Sequence, residues 1–129
     1  MSKLRPRGIS VELDGEERYF LFTLNMIDHF EEKYGKTMNA IIEDLVESEQ
    51  NNHMLRDIVT DLLNDEAERS VRKCQELQYP EVTVQDTGNM IGLDNYYEVL
   101  NAVLRAYGIS LPEAEEYDDP NRESGQTKG

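Results

Sequence analysis

The chain has no tryptophan, one cysteine and two histidines in 129 residues. The lone Cys74 excludes an internal disulfide. It falls in a stretch of helical spacing, where a thiol is expected to be a small packing group. His29 and His53 lie on different predicted elements, with no HExxH, no second histidine four residues away and no cysteine partner, so no metal site is framed. Gly88-Asn89-Met90-Ile91-Gly92 lacks the Lys-Ser/Thr ending of a phosphate loop. No apolar run reaches the roughly 18–20 residues that cross a bilayer, and MSKLRPRG is too polar for a signal peptide. The expected compartment is the cytoplasm, with no membrane partner.

Positive charge is also scarce: 13 Lys and Arg face 27 Asp and Glu, a formal net charge of −14. Lys3, Arg5 and Arg7 stand in an N-terminal arm without acids, so the chain from Gly8 onward carries −17. Such a body repels phosphate, which argues against nucleic acid as the main ligand and favours basic protein surfaces. With 38% hydrophobic and 31% charged residues, the composition is that of one globular domain with a heavily solvated surface.

What is present organises around residues 8–46. Ile9, Val11 and Leu13 alternate with Ser10 and Glu12, the period of a half-buried strand. Asp14-Gly15 marks a hairpin, and residues 18–22 form an aromatic-rich return strand. A two-residue turn sets Val11 opposite Arg18. A three-residue loop sets it opposite Tyr19 and gathers Ile9, Val11, Leu13, Tyr19 and Leu21 on one face, so the longer loop is the preferred register. Thr23 or Asn25 opens a helix through Leu24, Ile27, Phe30 or Glu31, and Tyr34, closed by Gly35. Thr37 caps a second, with Met38, Ile41, Ile42, Leu45 and Val46 as its buried stripe.

Met54, Leu55, Ile58, Val59, Leu62 and Leu63 form the strongest apolar stripe and predict the central core helix. Beyond Asn64 the stripe thins to Ala67, Val71 and Cys74, a segment that either continues that helix or kinks near Asn64-Asp65. Tyr79-Pro80-Glu81 reads as a turn. Thr83 followed by Asp86 favours a short helix over 84–91 rather than a strand. Asp94 or Asn95 opens a last helix, with Glu98 available to close a capping box on Asn95; Tyr96, Leu100, Val103, Leu104 and Tyr107 lie along one face and Gly108 at its end.

The expected fold class is α+β, predominantly α: an N-terminal hairpin over 9–22 packed on four to five helices within 24–108. Residues 8–109 form the single globular domain, 1–7 a flexible basic arm, and 110–129, with two prolines and six acids, a disordered acidic tail.

Acid pairs abound, but Glu16-Glu17 and Glu31-Glu32 sit on polar sides of amphipathic stretches, whereas hydrolytic carboxylates need an apolar pocket. Asp57 and Asp61, four apart beside the core stripe, read as an exposed helix face; an enzyme would instead bring one of them against another carboxylate in a cleft. No catalytic residue, cofactor or metal is expected. Seven tyrosines with Tyr96-Tyr97 adjacent leave at least one tyrosine of that pair pointing outward, suited to an interface.

The order of elements, with Asp14, Gly15, Tyr19, Leu21, Phe22, Asn25, Ile27, Glu31, Glu32, Gly35, Lys36 and Thr37, resembles the tail assembly chaperones of long-tailed bacteriophages and the related small tail proteins of prophages and gene transfer agents. The likeness is clearest over residues 8–46. It departs from the family at Asp57, Thr60 and Asp61, where smaller and aromatic residues are expected, and in the charged stretch 64–78. The resemblance implies a non-enzymatic protein of the bacterial host cytoplasm, outside the mature virion. Its partners would be the tape measure protein, which it keeps soluble, and the tail tube subunits it helps recruit. Glu31, Glu32 and Lys36, exposed and not dictated by packing, are the candidate partner-binding residues together with Tyr96 and Tyr97. The alternative is a small helical regulator or adaptor linked to nucleic acid through Lys3, Arg5 and Arg7.

Overall fold

The computed structural model describes residues 8–47, 52–75 and 78–108. The basic arm, the acidic tail and what was expected of each lie outside the described residues. A two-stranded antiparallel hairpin, β1 (Ile9–Leu13) and β2 (Glu16–Phe20), precedes five helices: α1 (Leu24–Tyr34), α2 (Met38–Glu47), α3 (Asn52–Arg72), α4 (Val84–Met90) and α5 (Tyr96–Ala106). No helix among the described residues is long and apolar enough to cross a membrane.

The hairpin register differs from the preferred one. Leu13 pairs with Glu16, Val11 with Arg18 and Ile9 with Phe20. Asp14 and Gly15 hold φ of 58° and 79°, so the turn uses two left-handed residues and needs no third. The core face therefore carries Arg18 where Tyr19 was expected, and Arg18 is only 2% exposed. Counting apolar side chains chose the wrong register because Arg18 has a buried acidic partner far along the chain. β2 also ends at Phe20, short of residue 22; Phe22 turns in to meet the rings of Phe30 and Tyr107 at 5.9 and 5.6 Å.

Local signals set α1 and α2. The Thr23 hydroxyl accepts from Met26 N–H, and Gly35 at φ 70° closes α1 by donating to the Glu31 carbonyl. Thr37 accepts from Ala40 N–H at the start of α2. Met26 and Phe30 are the buried residues of α1, while Leu24, expected on the inner stripe, is 84% exposed.

α3 is the central core helix and runs unbroken for 21 residues, through Asn64-Asp65. Its first half buries Leu55, Ile58, Val59, Leu62 and Leu63 against the hairpin, α1, α2 and α5 in one cluster. At ~1.5–3 kcal/mol for each large apolar side chain taken out of water, this is the main source of stability. In the second half, Glu66, Ala67 and Ser70 are buried, whereas Val71 is 55% exposed and Cys74 lies exposed beyond the helix end at φ 53°. Cys74 is thus not a packing residue of a helix. Asn64 binds the Val82 backbone in both directions, at 2.7 and 3.0 Å.

Tyr79, expected in a turn, is 9% exposed: its ring lies under the Arg18 guanidinium at 4.0 Å and its hydroxyl donates to the Glu17 carbonyl. Thr83 and Asp86 form a full capping box on α4. Asn95 does not form one on α5. Its side chain instead accepts from Gly92 N–H and donates to the Met90 carbonyl, closing the α4–α5 loop. α5 turns Val99, Ala102, Val103 and Leu104 inward, with Tyr96, Leu100 and Tyr107 partly buried beside them.

Candidate interaction surface

Among the described residues, two grooves flank the central helix. The larger, of about 980 Å³, runs between the start of α1 and the second half of α3, with Leu21, Leu24 and Met26 on one side and Asp61, Asp65, Glu68 and Arg69 on the other. Thr23, the N-cap of α1, and Leu24, its first residue, both line this groove. The smaller, of about 430 Å³, lies between the start of α3 and the α4–α5 loop and includes His53, Arg56, Leu93 and Tyr96. Leu93 is 98% exposed; it sits in the loop closed by Asn95, where no helical phase can turn it inward.

Charges beside the larger groove are mostly engaged. One oxygen of Asp61 contacts both His29 Nε2 at 3.0 Å and Lys33 Nζ at 2.8 Å, while Asp65 accepts from Arg69 at 2.9 Å. Asp61 therefore faces the Lys33 ammonium and the His29 ring, and Asp57 has Arg56 Nε at 3.9 Å. Asp61 shares the larger groove with Asp65 and Glu68, whose carboxylates have Arg69 and Arg72 as partners. No group of three or more His, Cys, Asp or Glu side chains among the described residues converges on a metal position.

Under this surface lies a polar anchor. Arg18 Nε donates to Glu66 Oε1 at 2.8 Å, and Glu66 Oε2 accepts from the Tyr19 amide at 3.2 Å. Burial pushes the Glu66 carboxyl above the usual range, against the opposing pull of the Arg18 guanidinium and the Tyr19 N–H. Burial also raises the Tyr79 phenol, with Glu66 adding to it. At the end of α1, the Tyr34 phenol is raised to about 12 by burial first and then by the negative charges of Asp57 and Asp61 on α3. Its buried hydroxyl has no hydrogen-bond partner.

The proposed contact residues occupy two places. Glu31 accepts from the Met38 amide at 2.8 Å and so caps α2; Lys36 pairs with Asp44 at the same corner; Glu32 stays exposed. At α5, Tyr96 is partly buried against the core, and Tyr97, 77% exposed, packs edge-on against it at 5.3 Å. Glu31 and Lys36 thus serve the α1–α2 corner, and Tyr97 is the outward member of the tyrosine pair. Sequence reasoning missed Leu24 and Leu93 as surface residues.

No family model, curated protein or solved structure matches the chain.

Proposed function

We propose that this protein is a non-enzymatic tail assembly chaperone of a long-tailed phage, prophage or related element, acting in the host bacterial cytoplasm. It holds the tape measure protein soluble and helps bring tail tube subunits to it. The observation that carries this reading is the combination of an acidic body with fully outward apolar side chains at both grooves, Leu24 at 84%, Leu93 at 98% and Tyr97 at 77%. Isolated exposed apolar residues are ordinary, but each of these stands at or beside a groove of the central helix. Such a surface can cover the apolar stripe of another protein's helix while the surrounding charge keeps the complex dispersed. The likeness of residues 8–46 to that chaperone group gives the partner its identity.

The test is affinity capture of a tape measure protein encoded beside this chain by the tagged chain. Retention is expected for the wild type and loss of at least half of it for Leu24→Asp combined with Leu93→Asp. Equal retention by both, or none by either, contradicts the proposal.

A further inference from the structure

The two edges of the hairpin are treated differently by the fold. With Leu13 and Glu16 flanking a two-residue turn, the ladder bonds run through Leu13–Glu16, Val11–Arg18 and Ile9–Phe20. Alternation then turns the backbone groups of Glu17 and Tyr19 outward on the β2 edge and those of Ser10 and Glu12 outward on the β1 edge. On β2 both residues are held: the Tyr19 amide donates to Glu66 and the Glu17 carbonyl accepts from Tyr79. On β1, Ser10 and Glu12 are exposed, and their outward amides and carbonyls have no hydrogen-bond partner among the described residues. The short strand ISVEL has no lysine, no proline and no bulge to blunt an open edge, and Glu12 is its one charged side chain.

We propose that the β1 edge takes an extended, basic segment of a partner protein as a third strand. Charge selects the occupant. On the outer face Glu12 stands directly opposite Glu17, a like-charge cross-strand pair that weakens a sheet unless something neutralises it. Asp14 and Glu16 lie at the adjoining turn, and the other outer-face residues, Ser10 and Tyr19, carry no positive charge. A strand added beside Ser10 and Glu12 places alternate side chains on this face, where Lys or Arg meets the two carboxylates. The intervening side chains fall on the inner face beside half-buried Ile9 and buried Val11, where α5 packs on β1, so small β-branched apolar residues are favoured there. A second copy of this chain brings another acidic hairpin to the same edge and is disfavoured. The inference stands apart from the tail-assembly reading, because it concerns a different surface from the two grooves.

The test titrates the full chain with a capped hexapeptide alternating lysine and valine, and with the same peptide carrying glutamate for lysine, followed by amide NMR and hydrogen exchange. The lysine peptide is expected to shift the Ser10 and Glu12 amides and slow their exchange about tenfold, and the glutamate peptide to leave them unchanged. Ser10→Pro deletes an outward N–H that the hairpin ladder does not use, and is expected to weaken binding about tenfold. If that variant fails to fold, Glu12→Lys with Glu17→Lys remains decisive, since it keeps the edge and should reverse the preference toward the glutamate peptide. No binding, or protection confined to other amides, overturns the proposal. Concentration-dependent protection without peptide assigns the edge to a second copy, and protection that disappears on deleting residues 1–7 assigns it to the chain's own arm; either result also overturns it.

Discussion

Arg18 on β2 and Glu66 on α3 form a buried ion pair at 2.8 Å, with side chains only 3% and 7% exposed. It fastens the hairpin to the central helix. Removing one partner strands the other charge away from water, which typically costs ~3–5 kcal/mol, whereas replacing both by apolar groups of similar volume is often neutral. Arg18→Met and Glu66→Leu are each expected to destabilise by about that amount, and the double variant to recover most of the loss. Urea unfolding of the four proteins in a double-mutant cycle measures it.

Tyr34 gives a pH prediction with a definite sign. Its phenol titrates near 12 in the folded chain against an ordinary value of 10.0. Between those values the folded state holds a proton that the unfolded state has released, so stability falls as pH rises from 10 toward 12. Absorbance titration of the phenolates should show one late component that Tyr34→Phe removes. Because the hydroxyl is buried and unpartnered, the same variant should be equally stable at neutral pH or more stable by about 1 kcal/mol.

At the hairpin turn, Gly15 has φ 79° and open space where a Cβ would stand, so Gly15→Ala meets backbone strain without a clash. A loss of about 1 kcal/mol is expected. Asp14→Asn, at φ 58°, should change stability by less than about 0.5 kcal/mol, because asparagine tolerates the same conformation. Thermal unfolding of both variants checks the pair.

Asn95 and Glu98 separate a loop clamp from a helix cap. Asn95→Ala loses the contacts to Gly92 and Met90 and is expected to cost ~1–2 kcal/mol. Glu98→Ala should lie within ~0.5 kcal/mol of wild type, since Glu98 closes no capping box. Equal losses from the two substitutions would restore the capping-box reading.

These variants follow the line between what was legible in the chain and what was not. Thr23 and Gly35, Thr37, the Leu55-to-Leu63 stripe and the Thr83–Asp86 box all act within one or two helical turns, so spacing alone located their elements. Arg18–Glu66 joins residues 48 apart and Tyr79–Glu17 residues 62 apart; no local period contains such pairs. That is why the hairpin register differs from the preferred one and why the charged half of α3, where the apolar stripe thins, buries Glu66 and Ser70. The surface was legible in part. An outward tyrosine at 96–97 follows from adjacency on a helix, whereas the exposure of Leu24 and Leu93 depends on how α1 starts and how Asn95 closes its loop.

Soluble yield of the tape measure protein tests the chaperone role most directly. Expressed alone and together with this chain in a bacterial host, it should shift from mostly pelleted to mostly soluble in the presence of the wild-type chain, and the Leu24→Asp, Leu93→Asp variant should rescue less than half as much. A soluble fraction unchanged by co-expression of the folded wild-type chain would contradict the account.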